Sequence, residues 1–505
     1  MSRKTDGLDI ALQSRLTTHA WVVGVCVGGA CVACGAEPPE ESTESIGELD
    51  QSAQIAKVYN VDVRRSLVVT EKPILERFSF ERVMQQLVDQ SGVPGLTPLA
   101  LFQQWWDTQN PGPGLGQGAH CDDQVEPGVG PVLNGYPYLC RPAPSEGGQA
   151  ACDPFAPDSL CAYIPIALFN RFDQAPENGA HCGEHRIVFA KASGVTDNGD
   201  RNSIIFEMNM ANPSPLQGLK GCKKIVNVWA GLSDLANLQK RADKLEDFYF
   251  DGQGTVPPVI SVAHLGDNPE SLGQVRTNQL VNTDSGWSMR EFKLLRQCSG
   301  ASCSALRLVP VTNKTNAFGG LFDPESTHPL ADDFRAYFPT QVASLASNDL
   351  NKISMTVPDM FNSAQSQSSG PFAAEMQYLD RLGTGPSELR SAIAAELALL
   401  GSSLSVNEIV RRAQTTSCAG CHRLSALANL GGGLVWPDAQ PRFMHVTERQ
   451  TEIVDGVERF VISDGLLNVF LPHRKLIMDD FLNNKPRPPG AHGPNHPIGG
   501  SADHG

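Results

Sequence analysis

Eight cysteines spread between positions 121 and 303 constrain this chain more than any other feature. They are Cys121, Cys140, Cys152, Cys161, Cys182, Cys222, Cys298 and Cys303. An even set of this kind in an oxidising compartment predicts a disulfide framework, although eight cysteines allow 105 connectivities. Short loops close most easily, so the expected pairs are the nearest neighbours: 121–140, 152–161, 182–222 and 298–303. Five cysteines remain. Three lie near the N-terminus, at Cys26, Cys31 and Cys34, and two close together at Cys418 and Cys421.

The N-terminus supplies the compartment. Arg3, Lys4 and Arg15 precede an apolar stretch from Trp21 to Cys34, which Glu37-Pro38-Pro39-Glu40-Glu41 ends sharply. This pattern predicts an export signal over residues 1–34, too short to span a bilayer. Val32-Ala33-Cys34-Gly35 resembles a bacterial lipobox, which would make Cys34 a membrane anchor; Gly29-Ala30-Cys31 is a competing placement. An ordinary cleaved secretory signal is the alternative. Each of these puts the protein in the periplasm or cell envelope. Residues 35–60, with Glu40, Glu41, Glu44, Glu48 and Asp50, read as a flexible acidic tether.

A length of 505 residues exceeds one ordinary core and predicts more than one domain. The net charge of −15 weighs against a nucleic-acid partner, since phosphate binding needs a basic face. No apolar run reaches the length of a membrane-spanning helix. The fold class expected is α+β: a disulfide-bonded mixed domain over 61–395, then a small all-α domain over 396–483. Phe80, Val83, Met84 and Leu87 recur at helical spacing, as do the apolar residues of 96–106 after Pro98. The aromatics there read as core. Strands are expected at 186–190, 203–208, 259–262, 289–295 and 306–311, and residues 162–169 as a strand or short helix. Helices are expected between 223 and 250, then over 332–345, 372–382, 387–400, 406–413 and 472–482. The tail, 484–505, contains His492, His496 and His504 and reads as disordered, with a weak metal-binding role as its other reading.

Cys418-Ala419-Gly420-Cys421-His422 carries the strongest chemical signal. C-x-x-C-H is the pattern of covalent c-type haem attachment: each thiol adds to one vinyl group, and the histidine then sits beneath the iron. With a helix before it and a closing helix after it, the segment resembles the class I cytochrome c domain family over about residues 400–483. The resemblance implies thioethers at Cys418 and Cys421, His422 as proximal ligand of the haem c iron, and a methionine as distal ligand. Here the family pattern is departed from, because Met444 and His445 are adjacent and cannot both face the iron. Phe443-Met444-His445-Val446 reads as a strand, which would place Phe443 and His445 on one face. Met478 and His473 are further alternatives. Competing readings of the pentapeptide are a thioredoxin-like pair, half of a zinc site, or a Cys418–Cys421 disulfide without haem. The whole chain is similar to a group of exported bacterial proteins with a Cys-rich first domain and a C-terminal haem motif, which implies an architecture and no activity.

Other constellations are weaker. His181-Cys182-Gly183-Glu184-His185 places two histidines four apart, yet Gly183 opposes a helix and a strand begins nearby. His120-Cys121-Asp122-Asp123 reads as a turn at a disulfide, and Asp197-Asn198-Gly199-Asp200 as a turn without calcium-loop spacing. No G-x-S-x-G, P-loop or dinucleotide fingerprint occurs. The function expected is single-electron transfer by an exported mono-haem protein with a redox partner protein. The alternatives are a cell-surface binding or structural protein with a vestigial motif, and a haem oxidoreductase with a substrate site in the first domain.

Overall fold

The computed structural model describes residues 58–115, 117–141, 152–159, 161–267, 272–280, 286–439 and 443–487. The export signal, Cys34, most of the acidic tether and the three tail histidines lie outside them.

An antiparallel sheet organises the chain. Its strands follow in sequence order: β1 (Val68–Val69), β2 (Tyr163–Arg171), β3 (His181–Lys191), β4 (Asn202–Ala211), β5 (Gln274–Leu280), β6 (Trp287–Ser299) and β7 (Ser302–Val311). A short β8 (Ser366–Gln367) pairs β6 at Met289 and Ser288, just past the point where Val311 of β7 pairs Glu291. The β6–β7 hairpin turns at Gly300, whose φ of 61° a side chain would resist.

Register sorts the residues onto two faces. Ile187, Phe206, Val275 and Phe292 are directly paired across four strands and all buried. Their sequence neighbours Val188, Ile205, Arg276 and Glu291 form the adjacent row and point to the other face. Helices cover the first face. In α1 (Phe80–Ser91) and α2 (Pro98–Asp107), capped by Ser79 and Thr97, Phe80 lies 5.2 Å from Phe189 and Trp105 lies 6.0 Å from Phe292. In α3 (Lys223–Ser233), Trp229 stacks on His185; α4 (Leu238–Glu246) follows it. The aromatic cluster is core, as its spacing predicted.

The four disulfides pair nearest neighbours: Cys121–Cys140, Cys152–Cys161, Cys182–Cys222 and Cys298–Cys303. They are consistent with an extracellular or periplasmic location. Among the described residues, no helix is long and apolar enough to cross a membrane.

The C-terminal segment departs from expectation. Residues 396–483 are not all-α. Besides α6 (Val406–Thr416) and α7 (Leu471–Leu482), which follow α5 (Glu388–Leu399), they form two hairpins: β9 (Asn429–Gly431) with β10 (Leu434–Val435), and β11 (Val446–Val454) with β12 (Val457–Ile462). Nor does a boundary at 395/396 divide two bodies. Lys57–Gly505 is one compact unit, and Ile409, Ile462 and Met478 join the same core as Phe80 and Phe206. A sheet with two faces needs a layer on each, and this segment contributes to the second. Two expected strands are absent. Val262–His264 is a 3-10 turn, and residues 443–445 are bends, the strand beginning only at Val446. The helix expected over 332–345 is broken around Pro339 into Ala331–Tyr337 and Val342–Leu345. Residues 484–487, expected to begin the tail, are ordered. There the Arg487 guanidinium donates to the carbonyls of Asp173 and Ala175.

Candidate functional site

The pentapeptide is delivered by α6. Ser405 and Glu408 form a reciprocal capping box at its start. Arg412 is buried and donates to the carbonyls of Leu345, Ser347, Leu430 and Gly431, which clamps the helix to its surroundings. After Thr416 the chain turns tightly, and residues 420–424 wind as a single wide turn. Gly420 is required there: a Cβ would lie 1.7 Å from the Gln414 carbonyl oxygen. Two side chains distant in sequence hold the turn against the sheet. The Cys418 N–H donates to Asn316 Oδ1 at 3.1 Å, and the Ala419 N–H donates to Ser366 Oγ of β8 at 2.9 Å.

Neither Cys418 nor Cys421 is in a disulfide, which removes the Cys418–Cys421 bond from the readings of this motif. Cys418 is buried against Met289 and Met376. Burial pushes its thiol up to about 12, so it stays protonated at neutral pH. His422 is 7% exposed, and neither ring nitrogen has a hydrogen-bond partner. Buried polar atoms are nearly always paired, so two orphaned nitrogens on one ring call for an explanation. Phe443 stacks on that ring at 4.2 Å and 21°, and Trp287 lies nearly parallel to it at 6.1 Å. The His445 ring lies 5.9 Å from that of His422. Its Nδ1 donates to the Phe443 carbonyl at 3.0 Å, which assigns the lone pair to Nε2. Burial holds the pKa of both imidazoles below the usual histidine range, that of His422 far below, with the His445 and Arg201 charges acting in the same direction. Both rings are therefore neutral near pH 7, the form that ligates metals.

A cavity opens beside these groups. Cys418, Cys421, His422, Met444 and His445 line one side, and sheet residues including Arg276 line the other. The structure thus brings together all five residues singled out in the sequence. His473 and Met478 are not among its lining residues. The Met478 side chain is core, its sulfur accepting from Asn170 Nδ2 at 3.4 Å. Met444 packs its sulfur against Gly465, where a Cβ would come within 2.3 Å of it.

The donor set fits a c-type haem: two cysteines outside disulfides, an imidazole with no other bond, and a second imidazole oriented by a backbone carbonyl. The free space is about 150 Å³, room for roughly five waters. A macrocycle there needs outward movement of a wall, and Met444 and His445 are the lining residues outside helix and ladder.

The sheet side of the cavity is charged, with its glutamates buried and its cations partly exposed. Arg186 bridges Glu184 at 2.5 Å and Glu207 at 2.9 Å, and Arg276 pairs Glu291 at 2.7 Å. Lys293 and Lys314 follow, donating to the carbonyls of Gly273 and Leu272. Burial raises the Glu291 pKa despite Arg276, and drives that of Lys293 well down, Lys314 adding to it. Sequence reasoning missed this layer. Its signal was present as charges alternating with apolar residues in β3 to β6, a pattern that ordinarily marks a solvated face. Asn316, Ser366 and the stacking role of Phe443 carried no local signal.

The weaker constellations are structural. His185 accepts from Trp229 Nε1 at 2.9 Å in the core, and His181 lies at the start of the same strand. His120 contacts Asp107 at 3.2 Å in the turn beside Cys121. Asp197 closes its own turn onto the Gly199 N–H. Among the described residues, no group of three or more His, Cys, Asp or Glu could hold a metal ion by itself. A haem differs in bringing four nitrogens of its own and asking only for axial ligands. Compared with protein-family models, curated proteins and solved structures, the chain matches none.

Proposed function

We propose that this chain is an exported mono-haem c-type protein that passes single electrons to a redox partner protein. Cys418 and Cys421 would carry the haem through thioethers, and His422 would be one axial ligand. The observation that carries the reading is the pair of orphaned His422 nitrogens, buried beside two cysteines kept out of disulfides. His445 is the better second ligand, since its Nδ1–H is already committed to the Phe443 carbonyl and its Nε2 is open. Met444 has its sulfur against Gly465. Haem would supply a one-electron iron couple, with two imidazoles favouring a lower potential than imidazole plus thioether. The protein's residues would orient the ligands and keep water from the iron. Attachment outside the cytoplasm agrees with the four disulfides, and Cys34 would anchor the chain by lipid.

A second reading is favoured by a separate cavity of about 570 Å³, lined by Phe80, Phe155, Tyr163 and Phe460 with Glu448. Pockets of this size and lining commonly hold small molecules. Glu448 pairs with Arg201, whose guanidinium lies 5.3 Å over the Phe443 ring. A substrate there would make the protein a haem oxidoreductase.

Expression with periplasmic haem maturation decides the first reading. The expected result is a reduced α-band and a haem mass that survives denaturation, with attachment impaired in Cys418→Ser and Cys421→Ser. A denatured protein of bare polypeptide mass sinks it, and leaves a binding or structural protein. His445→Ala is expected to perturb the spectrum more than Met444→Ala.

A further inference from the structure

The larger cavity, of about 570 Å³, has a lining whose chemistry narrows what it can hold. Its aromatic wall comes from four separate segments: Phe80 of α1, Tyr163 of β2, Phe460 of β12, and Phe155 of the loop closed by Cys152–Cys161. Phe80 lies 5.5 Å from Phe155 and 5.0 Å from Tyr163, so these three rings form one surface. Such a surface takes an apolar body, and the negative faces of its rings also attract a cation.

The charged residues of the lining decide the sign. Lys72 is paired with Glu458 at 3.1 Å, and Arg449 donates to the Val195 carbonyl at 2.7 Å and to Asn198 Oδ1. Glu448 is held by Arg201 at 2.5 Å. The two that remain, Glu76 and Glu81, are exposed, and neither has an ion pair or side-chain hydrogen bond among the described residues. Glu81 stands in the first turn of α1, whose positive end offsets part of its charge. Glu76 follows the C-terminal end of the Lys72–Leu75 turn, where backbone carbonyls add to its negative charge. The pocket is thus negative on its solvent side and aromatic within.

We propose that this pocket binds an organic cation, an ammonium group joined to an apolar body. The body lies against Phe80, Phe155, Tyr163 and Phe460, and the ammonium faces Glu76 and Glu81. The assignment rests on the pocket of the second reading above, and not on whether the bound molecule exchanges electrons with haem.

Titration calorimetry of the full chain at low ionic strength tests it, with probes that share an octyl chain: octyltrimethylammonium, octanoate and 1-octanol. The cation is expected to bind ~10-fold tighter than octanoate, with octanol between them. Glu76→Gln combined with Glu81→Gln is expected to bring cation and anion within ~3-fold of each other, at unchanged Tm. Phe155→Ala removes one ring of the wall and is expected to weaken all of the probes. Octanoate or octanol binding as tightly as the cation overturns the ligand class and leaves the pocket reading standing. So does a cation preference that survives the double substitution in full. Binding indifferent to Phe155→Ala, or no saturable binding by any probe, overturns both.

Discussion

The two faces of the central sheet are built from alternate residues of the same strands and stabilised in opposite ways. On one, Ile187, Phe206, Val275 and Phe292 bury apolar surface against the α1–α4 layer. On the other, Glu207 and Glu291 are fully buried while Arg186 and Arg276 keep 17% and 15% of their side chains exposed, and ion pairs hold them together. Apolar burial is favourable whichever neighbour supplies it. Buried charges contribute little net stability when paired and cost much when one partner goes. The aromatic face therefore anchors the fold, and the charged face is retained beside the cavity where Cys418 and His422 lie.

Phe206 and Glu207 are adjacent in sequence and point to opposite faces, so they test this contrast directly. Phe206→Ala is expected to cost about 3–5 kcal/mol through lost transfer and a residual cavity. Glu207→Gln removes the second carboxylate of Arg186 and of Arg276, each of which keeps a closer one, and a smaller loss on the order of 1–2 kcal/mol is expected. Denaturant unfolding of the two variants measures both, and an unaffected midpoint for Glu207→Gln would break the comparison.

The aromatic face carries one titratable group that the charged face does not protect. Burial takes the His185 imidazole from an ordinary value of 6.5 down to about 3, with the His264 charge acting in the same direction. The unfolded chain takes up the proton more readily than the fold does. Its contribution is thus complete above about pH 6.5 and declines as pH falls towards 3, by up to ~1.4 kcal/mol per unit. His185→Gln is expected to flatten the acid limb of a stability–pH curve. An identical acid limb in wild type and variant would falsify the assignment of that slope to His185.

The smallest effect concerns Met478, one of the sulfur ligands the sequence left open. As a core side chain its replacement in Met478→Leu conserves volume and is expected to cost less than ~1.5 kcal/mol. The spectrum of the loaded protein is expected to stay unchanged. A spectral shift would return Met478 to the iron.

The residues around the C-x-x-C-H pentapeptide differ in how readable they were. Cys418, Cys421 and His422 declared themselves by spacing, and the four disulfides by proximity along the chain. Met444 was weighed through the methionine ligand that the cytochrome c resemblance implies, and His445 through an expectation of strand alternation that the bends at 443–445 do not follow. Both nevertheless line the cavity. The all-α C-terminal domain was misread because helices at 406–416 and 471–482 have strong local signals, whereas the hairpins between them take their place from pairing. The charged rows of β3 to β6 look solvated in sequence, because nothing local announces a covering layer.

By itself, the sequence determined what neighbouring residues can decide: helix starts through Ser79, Thr97 and Ser405, short-range disulfides, and a pentapeptide with thiol and imidazole chemistry. Tertiary structure alone decided which face of the sheet that pentapeptide covers. It also left both His422 ring nitrogens without a hydrogen-bond partner. Those outcomes depend on contacts such as Asn316 with Cys418, 102 residues apart, and Ser366 with Ala419, 53 apart. Hydrogen bonding is satisfied or withheld in space, and separation along the chain carries no record of it.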